Sequence, residues 1–496
     1  MYYKEKKEKD CKLILECGKI FDPVLPPRLN DDPNNPMRHS VKLASVTVDT
    51  RFLSKACVNV EYSSIINVVS LDPGSDTTIT LKFRLTRECR NREKEILQEW
   101  EYVEGSLQDD EGEGEAKDAF TVTFCECVDC FHSDCCTYTI ELIKAAPSLD
   151  NDNVEIVYNI TNKNILAIIS CENHLQCGKI FNPPLPPRLN DDPSNPMSPP
   201  VKLASVTVDT RFLSKPCVNI KYSSIIRTLA ASDPTSPDVE ITLKFRLIKE
   251  CKEREKEILE EWEYIQSGLE DEDAERESKD TFTISFCECL DCFDSDCCQY
   301  TIELIEAAPT LIIGDNPGVL YDITNKDMSA IVACEDQVKC GQIFNPSLPP
   351  RLNDDPNNSI MPPIKLASVT VDTKHIRKPC VNIEYSSVID TIATIDESLD
   401  ITLKFRLIRE CKNKEKEILE EWEYIQGNLE DEEGERESKD FFTVIFCECL
   451  DCCDSDCCTY TMELIEAAPR LINGDIGVLY NITNKNISAI VACENK

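Results

Sequence analysis

Three tandem all-β domains, each a β-sandwich of jelly-roll type, are what this 496-residue sequence predicts. Three observations carry that prediction: long blocks return at a fixed period, segments inside each block alternate polar and apolar residues, and turn residues separate them. The repeat is plainest at Cys17-Gly-Lys-Ile-Phe, Cys177-Gly-Lys-Ile-Phe and Cys340-Gly-Gln-Ile-Phe, each followed by Leu-Pro-Pro-Arg-Leu-Asn-Asp-Asp-Pro from Leu25, Leu185 and Leu348. Trp100, Trp262 and Trp422 mark one place in every copy, 162 and 160 residues apart. The expected organisation is an N-terminal connector arm at 1–16 and repeats at 17–171, 172–334 and 335–496, the last two opening with their linkers. Linkers as short as Glu172–Gln176 and Glu335–Lys339 forbid free tumbling and predict a stiff rod of nearest-neighbour contacts.

In chain order, the first copy offers strands at Ser45–Thr50, Cys57–Tyr62, Thr78–Leu85, Phe120–Phe124 and Thr137–Leu142. All alternate at period two and are rich in β-branched and aromatic residues, which suit a pleated, half-buried surface. Glu93–Val103 carries Ile96, Leu97, Trp100 and Val103 at helical spacing; between its neighbours it reads as a strand with Ile96, Trp100 and Tyr102 on one face. The acidic stretches beginning at Gln108, Glu270 and Glu430 read as solvated loops, since they lack the regular ligand spacing of a calcium loop. Asn30-Asp-Asp-Pro reads as turn chemistry.

The net charge of −38 excludes nucleic acid and anionic membrane surfaces as partners, because both need clustered Lys and Arg. No apolar run is long enough to span a bilayer. The 29 cysteines favour an oxidising environment, whereas the charged start Met1–Asp10 lacks the apolar core of an export signal. Release by lysis of the producing cell, as in a spore-forming mother cell, reconciles the two. None of His39, His132, His174 or His375 recurs in a second copy, and no nucleophile motif or phosphate loop is present, so the expectation is no enzyme and no cofactor.

Nine cysteine positions recur in every copy, an odd number, with Cys11 and Cys453 in addition. Cys57 and Cys89 flank the turn around Pro73, as Cys217/Cys251 and Cys380/Cys411 flank theirs, and a hairpin would place each pair opposite for an intradomain disulfide. In Cys125-Glu-Cys-Val-Asp-Cys-Phe-His-Ser-Asp-Cys-Cys136, the residues Cys125 and Cys127 share the strand face of Thr121 and Thr123, opposite Phe120, Val122 and Phe124. That cluster serves either a neighbour or its own hairpin, as in a bond from Cys130 to Cys135 or Cys136. A zinc site is the lesser alternative and no metal is expected, because five thiols in 12 residues, two of them adjacent, fit a tetrahedral site awkwardly.

The joints at Cys171/Cys177 and Cys334/Cys340 repeat a six-residue spacing that Cys11/Cys17 copies with no domain before it, while Cys493 ends the third repeat. The arm, with Lys12-Leu-Ile-Leu as an added strand, is therefore expected to dock on the third domain of another chain. That contact would give a non-closing, head-to-tail homopolymer. Its candidate cross-links are Cys11, Cys17 and Cys493 with the cluster Cys447, Cys449, Cys452, Cys453, Cys457 and Cys458.

The pattern Cys-Gly-x-Ile-Phe, Ser-Val-Thr-Val-Asp-Thr, (Ala/Pro)-Cys-Val-Asn, a mid-domain Trp and Phe-Cys-Glu-Cys-x-Asp-Cys…Cys-Cys-x-Tyr resembles an uncharacterised cysteine-rich repeat domain of spore-forming anaerobic bacteria. Such domains look similar to the jelly-roll subunits of endospore appendages, which are disulfide-linked fibres whose N-terminal connectors reach into neighbouring subunits. The resemblance implies a structural subunit of an extracellular or spore-surface fibre, with a tandem adhesin or glycan-binding surface protein and a Cys-cluster metal-binding protein as alternatives; an anchoring spore-surface protein is a further expected partner.

Overall fold

The computed structural model describes residues 13–493, apart from isolated turn residues and the stretches 30–39, 71–77, 105–114, 129–134, 190–198, 231–239, 268–276, 291–296, 310–317, 354–360, 394–398, 430–435 and 451–456. The acidic loops, the Asn-Asp-Asp-Pro turn of the first copy, Pro73, Cys11, Cys130, Cys452 and Cys453 lie outside the described residues.

The first module runs β1 (Ile14–Cys17), β2 (Lys19–Ile20), β3 (Val41–Asp49), β4 (Ala56–Ser70), β5 (Ile79–Cys89), β6 (Glu95–Glu104), β7 (Glu115–Val128), β8 (Cys135–Pro147), a small β9–β10 hairpin (Leu149–Asp150, Asn153–Val154) and β11 (Ile156–Cys171). Register places them in two antiparallel sheets, an outer one ordered β2-β3-β8-β5-β6 and an inner one ordered β1-β11-β4-β7. From β3 to β11 the long strands change sheet at every step except the β5–β6 hairpin, and this interlocking is the jelly roll. The other two modules repeat it, and no helix occurs among the described residues.

Period-two alternation delivers the core: Phe83, Trp100, Tyr102, Phe120 and Tyr138 are all at most 2% exposed. Phe83 stacks on Phe120 with ring centroids 4.3 Å apart. Glu95–Glu104 is a strand, but Ile96 does not share the face of Trp100. The β5–β6 register jumps by one residue at Leu85/Thr86, and this bulge turns Ile96 outward to 55% exposure. Gly18 is where the chain leaves the inner sheet for the outer. A Cβ there would lie 2.3 Å from Ile165 Cγ2 and 2.6 Å from the Ser45 carbonyl, so the Cys-Gly-x-Ile-Phe signature records a close backbone approach. The proline-rich segment that follows is held by Tyr158, whose hydroxyl donates to the Pro26 carbonyl.

The modules do not form a rod. They close into a ring about a pseudo-threefold axis, each inner sheet facing that axis. Lys117 of the first module pairs across to Ile425 of the third, Lys439 of the third to Ile265 of the second, and Lys279 of the second to Val103 of the first. Side chains circulate the same way: Ile65 reaches the third module's core, Val388 the second's and Ile225 the first's. Leu13, Leu15, Leu166, Ile168, Leu175, Ile331, Val338 and Ile490 build a shared apolar plug from all three modules. The rod expectation fails because β4 is buried on both faces. Cys57, Asn59, Glu61 and Ser63, which alternate with the apolar residues of β4, are all at most 2% exposed.

The arm also departs from expectation. β1 pairs with β11 of its own module, Ile14 opposite Ile169, and touches the third module of the same chain at Ile14 and Cys493. Ile14–Cys17 is the first strand of its own jelly roll, and residues 1–12 of the expected arm lie outside the described residues.

Candidate functional site

Two features of the ring carry chemistry: its sulfur joints and its polar axis. Within each module two disulfides follow directly from register, since Cys57 lies opposite Cys127 and Cys89 opposite Cys136. The counterparts are Cys217–Cys289, Cys251–Cys298, Cys380–Cys449 and Cys411–Cys458. The expected hairpin pairs Cys57/Cys89, Cys217/Cys251 and Cys380/Cys411 do not form. β4 and β5 belong to different sheets, so the segment between them crosses the sandwich rather than turning a hairpin.

Three further bonds among the described residues join modules: Cys125–Cys177, Cys287–Cys340 and Cys17–Cys447. Cys125 and Cys127 are two apart on β7 and project from one face, where one meets the next module and the other its own β4. Cys17, expected to leave the chain, closes the ring by bonding Cys447 across 430 residues. Cys449 and Cys458 are likewise bonded within the chain. Cys457 is half-buried beside Cys458, and Cys493 lies opposite Pro379 on the closing strand. Of the joint residues, Cys171 is disulfide-bonded, whereas Cys334 is a half-buried free thiol.

Along the axis, equivalent residues meet in threes. Thr121 donates its hydroxyl to the Thr443 carbonyl at 2.5 Å, Thr443 to Thr283 at 2.8 Å, and Thr283 to Thr121 at 2.6 Å. One layer away, Lys221 lies between Glu61 at 2.6 Å and Glu384 at 2.7 Å, all three at most 2% exposed. Burial pushes the Glu61 carboxyl up to about 7, with the Glu384 charge adding to the rise and Lys221 opposing it. Farther along, Tyr102, Tyr264 and Tyr424 each donate at 2.6 Å to Asp118, Asp280 and Asp440. Desolvation raises all three aspartates, Asp280 to about 6 and Asp440 to about 7.

The rim is stitched by Lys117–Glu423 at 2.5 Å, Lys279–Glu101 at 2.6 Å and the close pair Lys439–Glu263. Asn162, Asn325 and Asn484 sit at positive φ (47°, 50° and 44°) where the last strand of each module bulges. Each turns its amide onto a carbonyl of the adjacent module: Glu421, Glu99 and Glu261. A positive φ is tolerable for Asn, and the bulge is what aims it outward.

Sequence reading missed this axis. Its signal was a charge change at one repeated position, Asn-Val-Glu61, Asn-Ile-Lys221 and Asn-Ile-Glu384, inside otherwise near-identical strands. The titratable groups on the axis are spent on one another, and His174 directs Nδ1 to the Val332 carbonyl. A surface groove of the third module is lined by Asn345, Pro346, Leu348, Leu366 and residues 481–485.

Among solved structures, the CBM22-1–CBM22-2 tandem domain of Xyn10C from Paenibacillus barcinonensis aligns with 66% of this chain and 92% of its own, at 9% identity. Its TM-score of 0.12 is too low to carry an argument. No curated protein matches the sequence. The model of one domain family, described as a domain of unknown function (DUF4489), matches three times, at residues 11–169, 171–333 and 334–492. These spans coincide with the three jelly rolls, and the chain belongs to the DUF4489 family as three tandem copies of its domain.

Proposed function

We propose that this chain is a non-catalytic structural protein of an extracellular or spore-surface assembly, and that its working unit is one covalently closed ring of three jelly rolls. The observation that carries the reading is the set of three equivalent intermodule disulfides, the third of which, Cys17–Cys447, joins the first module to the last. Disulfides of this kind persist in an oxidising compartment and each stabilises by roughly 2–4 kcal/mol, chiefly by constraining the unfolded chain. A molecule with such links and a charge-paired interior is built to endure rather than to move.

In this reading the ring replaces arm-mediated polymerisation, because Ile14–Cys17 pairs with β11 and Cys17 bonds Cys447 within one chain. Any larger assembly then uses whole rings as its blocks. The test mixes unlabelled and ¹⁵N-labelled chains, reduces and reoxidises them together, and maps the cross-linked peptides by mass spectrometry. Cys17–Cys447 peptides of a single isotope are expected. Mixed-isotope peptides at the statistical frequency would return the bond to the space between molecules and overturn the closed unit.

A further inference from the structure

Each joint gathers four sulfur atoms, not two. At the first, the Cys57–Cys127 bond lies against the Cys125–Cys177 bond, with Cys127 Sγ 3.6 Å from Cys177 Sγ. The same approach recurs between Cys289 and Cys340 at 3.5 Å and between Cys449 and Cys17 at 3.6 Å. In every joint three sulfurs lie within 4.8 Å of one another: Cys57, Cys127 and Cys177; Cys217, Cys289 and Cys340; Cys380, Cys449 and Cys17. The fourth, from Cys125, Cys287 or Cys447, is covalently attached to one of these. With Zn–S bonds of about 2.3 Å, the edge between two sulfurs of a tetrahedral tetrathiolate is about 3.8 Å, close to these non-bonded separations.

We infer that each joint, once reduced, is a tetrathiolate site for a soft divalent cation such as zinc, so that one chain holds three ions. Three ligands come from the paired strands of one module and the fourth from the module that follows, which makes the metal a bridge across the same seam the disulfide now closes. The chemistry balances at every joint. Two equivalents of a dithiol, or of a phosphine with two waters, supply the four electrons and four protons that convert two disulfides to four thiols, and the incoming ion displaces those four protons as the thiolates bind.

The surroundings suit such a site. The sulfurs rest on the apolar plug, which keeps water from one side. Cys57, Cys217 and Cys380 are fully buried while Cys127, Cys289 and Cys449 are exposed, giving the ion a path of entry. Reduction also frees directly opposed cysteines, whose Cα atoms are 3.9–4.0 Å apart, to relax toward the roughly 4.5–5.5 Å of ordinary antiparallel pairs. The Cys89–Cys136, Cys251–Cys298 and Cys411–Cys458 bonds form no comparable group among the described residues, so they serve as internal controls. The inference is independent of the structural role proposed above, since it concerns the reduced chain alone.

The experiment titrates the full-length chain, reduced with a phosphine under anaerobic conditions, with Co(II) and then Zn(II). Three Co(II) per chain are expected, with sulfur-to-cobalt charge-transfer absorption and the strong visible bands of tetrahedral thiolate coordination, all displaced by zinc. The double substitution Cys57→Ser/Cys177→Ser should lower the count from three to two, and Cys89→Ser/Cys136→Ser should leave three. Absent thiolate bands would overturn the inference, as would a count unchanged by the first variant or lowered by the second. If the reduced chain loses its β-type circular dichroism, zinc must restore it; failure to do so counts equally against the site.

Discussion

At the scale of single residues, the axis shows how a repeated fold tolerates a charge it cannot repeat. Three glutamates at the position of Glu61 would crowd like charges into a space sealed from water, and Lys221 in the second module prevents this. Replacing Lys221 by Met leaves two buried carboxylates without their cation. The expected loss is about 3–5 kcal/mol in denaturant unfolding of the oxidised chain at pH 8. At pH 5 the loss should shrink, because Glu61, raised to about 7, is then protonated. The aspartate ring gives a second pH signature. Asp118, Asp280 and Asp440 are raised, so the folded state holds protons that the unfolded state has released at the same pH. Their stabilisation is complete below the unfolded carboxylate range and is lost as pH rises through about 6 to 7. Calorimetry should show the melting temperature falling between pH 5 and pH 8, and Asp118→Asn/Asp280→Asn/Asp440→Asn should flatten that slope. Surface carboxylates held low by lysines, such as Glu263 and Glu423, act in the opposite sense only at lower pH, outside this window.

Elements were legible in the sequence wherever one face was greasy. Phe120, Val122 and Phe124 announced their strand and its inward side, and Trp100 and Tyr102 did the same for β6. What alternation cannot reveal is whether the polar face meets water or another polar face. Thr121, Thr123, Asn59 and Glu61 look solvated by composition and are buried by assembly. The disulfide register was misread for a related reason: residues equidistant from a turn are opposite only if the turn closes a hairpin, and in a jelly roll most connections cross between sheets. The bulge that exposes Ile96 is a one-residue register shift with no marker in composition. Gly18, by contrast, is a position the sequence marked three times without saying why. Gly18→Ala forces contact with Ile165 and the Ser45 carbonyl, and the expected cost is about 1–3 kcal/mol. Amide exchange of Leu15 and Cys17 should accelerate selectively as β1 loosens, which separates this effect from general destabilisation.

For the whole molecule, closure is the property that no local pattern announces, because it depends on how three sandwiches meet. Small-angle scattering distinguishes the outcomes directly: a closed ring should give a radius of gyration close to the ~23 Å of a compact chain of this length, and an end-to-end rod a much larger one. Cys17→Ser should reduce stability by about 2–4 kcal/mol while leaving that radius nearly unchanged, since the apolar plug, lysine pairs and threonine triangle still hold the first module to the third. The threonine triangle has one more implication. Its hydroxyls all point the same way around, each donating to the carbonyl of the module before it in the cycle, so the arrangement has a sense of rotation but no starting point. Genes rewritten to begin with the second or third repeat are mere rotations of one cycle and should yield the same object. A gene that transposes two repeats changes which copies are neighbours but not the sense of the cycle, because every copy brings the same threonine.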